Sequence, residues 1–224
     1  MNLEYRTASS EFAEELVALE LRCFPNVDPA DLLSVAGVRL QATLFPEGAF
    51  MVLDGERVVA MASGVFVNYD ITEPQHVMDE VVGPLGVEFH DPDGEWYYGI
   101  DIAVDPEYRG RGIAKRLYEL RKQVVIDHDK RGIIAGGVIP GYADHKDTMT
   151  AAEYVDAVVR GDLRDPTLSV QLSNGFEATG VIADYVHDES TDNWASFIVW
   201  KNPQYRTTDD RQPTTDKRDG QGST

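Results

Sequence analysis

The sequence is poor in cysteine and has no long apolar runs. One cysteine in 224 residues, Cys23, excludes an internal disulfide and is typical of a reducing compartment. No apolar run approaches the roughly 18 residues that span a bilayer. The N-terminus also lacks the basic-then-apolar pattern of an export signal. We therefore expect a soluble, cytoplasmic protein with no membrane partner.

Basic residues are also scarce. Lysine and arginine number 20 against 39 aspartates and glutamates, which gives a net charge of −19. Such a field repels nucleic acid, whose binding needs a basic face to neutralise phosphates, so we expect no nucleic-acid partner. The acids are dispersed along the chain, which favours adaptation of the whole surface to high salt. Recognition of a basic partner is the alternative.

The chain does contain a regular series of strand and helix patterns. Strands are predicted at 3–7, 50–53, 57–67, 96–104, 133–139, 176–182 and 194–200. Helices are predicted at 10–23, 28–44, 113–127, 150–161 and 165–172, with Ser10, Asp28 and Thr150 at their starts. Residues 1–203 form one predicted domain, and the polar segment 204–224 is predicted to be a disordered tail.

A glycine-rich loop separates the strand at 96–104 from the helix at 113–127. Its residues are Arg109, Gly110, Arg111, Gly112, Ile113 and Ala114. The glycines let the backbone approach a ligand, the amides at the new helix start attract anions, and the arginines add charge for phosphate oxygens. The Walker and dinucleotide fingerprints are both incomplete here. The pattern predicts a different pyrophosphate cradle, with a basic turn that binds nothing as the alternative.

This loop carries a resemblance to a known family. The segment IAVDPEYRGRGIAKRLYE (102–119) resembles motif A of the GCN5-related N-acetyltransferase (GNAT) superfamily, whose loop follows the pattern Arg/Gln-x-x-Gly-x-Gly/Ala. The segment LSNGFEATGVI (172–182) resembles the closing helix-to-strand junction of that fold. The resemblance covers roughly residues 2–202. It implies an α/β (α+β) fold with a mixed, mostly antiparallel sheet of about seven strands flanked by helices.

A narrower likeness concerns the segments IAGGVIPGY and EYVDAVVRGDLRDPTLSVQLSNGF. They are similar to the acetyltransferase-type domain attached to carbon–nitrogen hydrolases of the nitrilase superfamily.

The family resemblance implies acetyl-coenzyme A as cofactor, with its pyrophosphate on the loop 109–114. The strand contacts implied are Ile102, Ala103 and Val104, and the thioester is expected where this strand splays from the next. Asp101 is the candidate base, with an outward-pointing strand residue as the alternative. The family has a tyrosine four residues before the closing Gly-Phe, but this chain has Gln171 there. Tyr142 is therefore the candidate acid.

The expected function is acetyl transfer to the amine of a small molecule or a protein by direct attack on the thioester. The alternative is a coenzyme A-binding regulatory or assembly module without catalysis. Residues 70–95 and 140–161 form two excursions that are expected to select substrate or to contact a second copy in a homodimer. The histidines show no ligand spacing, so no metal is expected.

Overall fold

In a computed structural model, which describes residues 2–206, a seven-stranded sheet forms the centre of the molecule. Its strands are β1 (Leu3–Thr7), β2 (Phe50–Asp54), β3 (Arg57–Val67), β4 (Trp96–Val104), β5 (Gly132–Val138), β6 (Glu177–Ile182) and β7 (Ala195–Lys201). The strand order is β1-β2-β3-β4-β5-β7-β6. Most of the predicted tail lies outside the described residues.

Six helices accompany the described sheet. They are α1 (Ala13–Cys23), α2 (Val35–Leu44), α3 (Met78–Val82), α4 (Ile113–Asp127), α5 (Ala151–Arg160) and α6 (Leu168–Ser173). Apolar residues of α1 and α2 pack with Met61 and Ala103 on one face of the sheet. Ile113 and Leu117 of α4 pack with Ile102 on the opposite face. The sheet is therefore covered on both faces around β4.

The pairing of β4 with β5 interrupts an otherwise antiparallel sheet. These two strands are parallel and pair over three positions, from Trp96 opposite Gly132 to Tyr98 opposite Ile134. All other neighbouring strands are antiparallel. One parallel pair among antiparallel ones confirms the mixed, mostly antiparallel sheet that the resemblance implies. Beyond Tyr98 the strands β4 and β5 separate.

A bulge in β4 lies where the strands separate. Across the β3–β4 pair the register passes from Gly64 opposite Gly99 to Ala62 opposite Ile102. Two residues of β4, Ile100 and Asp101, thus stand opposite the single residue Ser63. A bulge bends its strand and redirects side chains, and such bulges are common beside active sites.

Two of the predicted helix starts are wrong in detail. Ser10 begins a 3-10 turn rather than capping α1. Asp28 caps a separate 3-10 turn, and α2 begins later, where the Ser34 hydroxyl accepts the Gly37 amide at 3.0 Å. The predicted capping box of α5 is confirmed, since the Thr150 hydroxyl and the Glu153 carboxylate each accept a hydrogen bond from the other's backbone amide.

Candidate active site

The glycine loop has an open space above it. Gly110 and Gly112 have φ angles of +74° and +79°, which favour glycine, and a Cβ on either would meet no protein atom within 4 Å. Gly112 is the N-cap residue of α4 and contributes no side-chain cap to its first turn. The loop therefore presents backbone amides and the positive end of a 15-residue helix to an unobstructed surface.

The two loop arginines contact the loop itself. Arg109 Nε donates to the Val104 carbonyl at 3.1 Å, and Arg111 Nη2 donates to the Glu107 carbonyl at 3.0 Å. The Arg111 guanidinium also lies 5.2 Å from the centre of the Tyr108 ring. Both arginines are exposed, so they add positive charge beside the amides while they brace the turn.

A cleft opens where β4 and β5 separate, with a volume of about 290 Å³ that includes solvent at its mouth. Its walls come from β4, β5, α4 and α6. The predicted residues Asp101 and Ile102 line it, and so does Gln171. Ala103 and Val104 continue along β4 toward the loop. The strand separation, the cleft and the glycine loop thus form one continuous path along β4 into α4.

Tyr118 of α4 and Gln171 of α6 meet in this cleft. The Gln171 side chain donates a hydrogen bond to the Tyr118 hydroxyl, while burial raises the pKa of Tyr118 to about 12. Gln171 can lie close to β5 because its amide occupies the space that a Cβ on Gly137 would need. Its Oε1 is buried and has no hydrogen-bond partner among the described residues. The helix α6 therefore supplies an amide to the cleft, and α4 supplies a hydroxyl.

Arg121, one turn of α4 further on, reaches across the cleft to the bulge. Its Nη2 donates to the backbone carbonyls of Ser63 and Asp101. Its Nε is buried without a partner among the described residues, although Arg121 lines the cleft. A buried polar atom without a partner is rare and calls for an explanation, which a ligand would provide.

Asp101 belongs to a group of polar side chains at the bulge, in which Glu20 is buried and Asp101 and Ser63 are half-buried. Its Oδ2 accepts a hydrogen bond from Ser63 Oγ at 2.8 Å. The carboxyl of Glu20, on α1, lies against it; burial and the Asp101 charge raise the pKa of Glu20 to about 11. Glu20 Oε2 accepts the Leu33 amide at 2.6 Å, and Oε1 accepts nothing from the described residues. Burial and the neighbouring Asp101 thus favour a protonated Glu20, and we call these two residues the carboxyl pair.

Tyr142 does not line the cleft. It is buried, its hydroxyl donates to the Met149 carbonyl at 3.1 Å, and its ring packs against Tyr154. These contacts give Tyr142 a packing role and leave its predicted acid role without support from geometry. Tyr118, rather than Tyr142, is the tyrosine whose side chain lines the cleft.

A second cavity adjoins the bulge on the α1 and α2 face of the sheet. We call it the apolar cavity; it is lined by Leu16 and Leu33, by Ser63 and Ile100 at the bulge, and by residues 85–87 of the first excursion. Ile100 lines both the apolar cavity and the cleft. The second excursion, 140–161, lines neither of them.

The first excursion is fastened to β4 by a buried histidine. His76 Nε2 lies 2.7 Å from the Tyr98 hydroxyl, which lies 2.9 Å from the hydroxyl of Tyr185. His76 Nδ1 is 2.7 Å from the Pro74 carbonyl, and burial lowers the pKa of His76. A neutral His76 therefore donates from Nδ1 and accepts at Nε2. This network holds the excursion beside the apolar cavity.

The donor set of the cleft and loop fits coenzyme A. A pyrophosphate needs the outward amides and positive charge of the loop, and an amide-bearing pantetheine arm matches the unpartnered Gln171 Oε1 and Arg121 Nε. Within residues 2–206 no group of three or more His, Cys, Asp or Glu side chains is arranged to hold a metal ion. None of the helices in that range is long and apolar enough to cross a membrane.

Comparison with known proteins agrees with this geometry. The family model described as "Acetyltransferase (GNAT) family" matches residues 13–138. "Uncharacterized N-acetyltransferase YkwB" of Bacillus subtilis (strain 168) is 30% identical over 205 residues, which cover 91% of each chain. "Probable hydrolase YhcX" of the same strain is 32% identical over 204 residues, 89% of this chain but 39% of YhcX. The chain thus spans well under half of YhcX.

Two solved structures share the fold at lower identity. The loading GNATL domain of CurA from Lyngbya majuscula has a TM-score of 0.77 at 17% identity, with 90% of this chain and 98% of that domain covered. The GphF GNAT-like decarboxylase, solved with isobutyryl-CoA, has a TM-score of 0.69 at 20% identity, with 89% and 99% covered.

The fold is that of GNAT domains, and the family model and the Bacillus relative place the chain among acetyltransferases. More particularly, the chain belongs to the acetyltransferase (GNAT) family. The narrower likeness to domains attached to nitrilase-superfamily hydrolases stays a prediction.

Proposed function

We propose that the protein transfers an acetyl group from acetyl-coenzyme A directly to an amine, with Asp101 as the base. The observation that carries this proposal is the carboxyl pair at the bulge: Glu20 is buried, and Asp101 is half-buried and borders the cleft where β4 and β5 separate. A CoA-binding module without catalysis would have no need for two carboxyl groups in contact beside the cleft, one of them buried, since burying a carboxyl group costs stability.

The residues that would hold the cofactor follow from the path along β4. The amides of 110–114 would bind the pyrophosphate, with Arg109 and Arg111 adding charge. No residue of β5 pairs with Ile102, Ala103 or Val104, and the backbone there would bind the pantetheine arm beside the contact of Arg109 with the Val104 carbonyl. When bound, acetyl-coenzyme A supplies an activated acetyl group and a thiolate leaving group.

The carboxyl pair would take up the proton of the attacking amine. Burial and the neighbouring Asp101 keep a proton on Glu20, so Asp101 would be the member of the pair that accepts the amine proton. Ser63 Oγ orients Oδ2 of Asp101, which leaves Oδ1 as the oxygen to accept a proton. An amine that enters a buried, poorly solvated site loses its proton more readily than in water, because desolvation disfavours the charged form.

Tyr118 would return a proton to the leaving thiolate. Because the Gln171 amide donates to the Tyr118 oxygen, the Tyr118 proton points elsewhere, and the same amide stabilises the phenolate left after transfer. This arrangement replaces the tyrosine that the family has at position 171. The need for an acid is moderate, since thiols ionise near pH 8.5 and a thiolate is a fair leaving group.

The test is acetyl-coenzyme A binding followed by thiol release with a panel of amines. We expect acetyl-coenzyme A to raise the melting temperature of wild type and of Asp101→Asn equally. Thiol release should be about 10²–10⁴-fold slower in Asp101→Asn, the usual contribution of a positioned base. Ser63→Ala is the matched control: it keeps the carboxylate and should lose much less activity.

Three results would contradict the proposal. Binding without thiol release from any amine would favour a non-catalytic module. An unchanged rate of thiol release in Asp101→Asn would show that Asp101 is not the base. No binding of acetyl-coenzyme A would rule out both functions.

A further inference from the structure

The apolar cavity has the composition of a site for an uncharged group. It has a volume of about 400 Å³, which includes solvent at its mouth, and every side chain that lines it is uncharged. Leucine, valine, alanine, methionine and phenylalanine make up most of its wall, with Ser63 and Gln41 as the polar side chains. A cavity of this kind in a protein whose surface is strongly acidic is a local exception.

The cavity leads to the carboxyl pair. Ser63, which lines it, donates to Asp101, and Leu33, which lines it, donates its amide to Glu20. Ile100 separates the cavity from the cleft and borders both. A molecule in the apolar cavity would therefore have one end beside Asp101, on the side of the sheet opposite Tyr118 and Arg121.

One buried polar atom in this cavity lacks a partner. Gln41 is buried, and its Nε2 donates to the Phe45 carbonyl at 2.7 Å, which fixes the orientation of the amide. Its Oε1 has no partner among the described residues, although Gln41 lines the cavity. An unsatisfied buried acceptor costs free energy unless a ligand or water donates to it. The cavity thus has an acceptor for an N–H donor in addition to its apolar walls.

Charge decides which amines suit this cavity. The overall net charge of −19 attracts any cationic amine toward the protein. Inside, a second charge on the amine would be desolvated with no charged side chain to pair with it, which is strongly unfavourable. Diamines and amino acids are therefore poorly suited because of their second charge, and amino sugars because of their unpaired hydroxyls, whereas an amine with a hydrocarbon body buries apolar surface.

We propose that the acceptor is a small primary monoamine with an apolar body, bound in the apolar cavity with its nitrogen beside Asp101. This proposal rests on the proposed acetyl transfer and names its substrate class. The first excursion contributes Leu85 and Val87 to the cavity wall and thereby takes part in selection.

The test uses three amines of equal length that differ at the far end: pentylamine, 1,5-diaminopentane and 5-aminopentanoate. We expect kcat/KM for pentylamine to exceed the other two by at least about 100-fold, because they bury a second, unpaired charge. Binding gives an independent readout. With coenzyme A present, pentylamine should raise the melting temperature and the other two should not.

Leu85→Arg and Leu44→Arg form a matched pair of variants. Both leucines are exposed, at 37% and 45%, but Leu85 lines the apolar cavity and Leu44 does not. Leu85→Arg should lower kcat/KM for pentylamine about 10-fold by placing a charge at the wall, with the affinity for acetyl-coenzyme A unchanged. Leu44→Arg should match wild type.

Each outcome separates this proposal from the proposed function. Acetylation of other amines, or of peptides with an apolar N-terminal residue, without preference for pentylamine would overturn the substrate class and leave acetyl transfer standing. An equal loss of kcat/KM in Leu85→Arg and Leu44→Arg would show that the apolar cavity does not bind the amine. If no amine releases thiol, acetyl transfer fails, and the melting temperatures alone decide whether the cavity binds an apolar amine.

Discussion

The glycine loop and the wall of the cleft differ in how the chain builds them and in which groups they present. The loop 109–114 is one continuous, exposed segment that offers backbone amides, so its ability to bind depends on backbone angles and a helix end. The wall is assembled from β4, β5, α4 and α6, and Glu20 of α1 and Ser63 of β3 contact Asp101 beside it. Binding of a common cofactor needs a short local motif, whereas chemistry needs groups brought together from distant parts of the chain.

The difference also appears in how each region tolerates change. A loop of backbone donors depends little on side-chain identity, except where φ is positive. The wall contains a carboxyl pair and two buried atoms without partners, so single substitutions there alter charge and proton placement. Variants that affect only one region can separate binding from chemistry.

Apart from Asp101→Asn, the largest effect is expected from Tyr118→Phe, which removes the hydroxyl from the cleft. We expect kcat to fall about 10–100-fold, less than for loss of a base because the thiolate leaves fairly well unaided. The loss should be uniform below about pH 10, because the raised pKa of Tyr118 keeps it protonated there. Affinity for acetyl-coenzyme A should stay the same.

Tyr142→Phe is the control for that experiment. It removes an equally buried hydroxyl, one bonded to the Met149 carbonyl outside the cleft. It should lower the melting temperature and leave kcat unchanged. A larger kinetic loss in Tyr142→Phe than in Tyr118→Phe would restore Tyr142 as the acid.

A smaller effect, confined to binding, is expected from Gly112→Ala. The added Cβ points into the open space over the loop, and φ of +79° is unfavourable for alanine. We expect the Kd for coenzyme A, measured by calorimetry, to rise about 10-fold, with kcat at saturation within about twofold of wild type.

Gly55→Ala separates strain from ligand contact in the loop. Gly55 lies in the β2–β3 turn with φ of +65° and has the same open surroundings. It should cost similar stability without changing the Kd. Equal affinities in the two variants would mean that the loop does not contact the cofactor.

The smallest effect concerns stability and pH, in Glu20→Gln. In the folded protein the pKa of Glu20 is about 11, above its ordinary value of 4.5. Between these values the unfolded chain binds fewer protons, so the stability contributed by neutral Glu20 is complete below pH 4.5 and declines as pH rises. Glutamine keeps the hydrogen bonds and cannot ionise.

We therefore expect the free energy of unfolding of Glu20→Gln, relative to wild type, to be higher at pH 9 than at pH 5. Urea denaturation at both pH values measures this difference. A difference that does not vary with pH would show that Glu20 is ionised in the folded protein.

Most elements of the fold could be predicted from the sequence, because their patterns are local. The strands β1, β3 and β4 begin and end at the predicted residues, and the start of α4 follows from the glycine loop. The start of α2 was missed because Asp28-Pro29 is a valid turn signal that competes with the cap at Ser34. Local rules cannot decide which of two good starts the packing selects.

The candidate site could be predicted only in part. The roles of Glu20, Tyr118 and Arg121 were missed because each looks like an ordinary residue of an amphipathic helix until the sheet brings it to β4. One pattern in the sequence does indicate the position of Gln171. The pair Gly136-Gly137 in a strand indicates close approach by other groups, and Tyr185 and Gln171 occupy those places.

The three-position pairing of β4 with β5 also has a mechanical consequence. Within the sheet, the plate β1–β4 and the plate β5–β7 are joined along one short seam, from Trp96–Gly132 to Tyr98–Ile134. Beyond that seam no strand pairing fixes the distance between β4 and β5. We expect the helices packed on the sheet to limit how far that distance changes. A ligand bound between β4 and β5 would then set the distance between them, and with it the distance between the side chains on the two sides of the cleft.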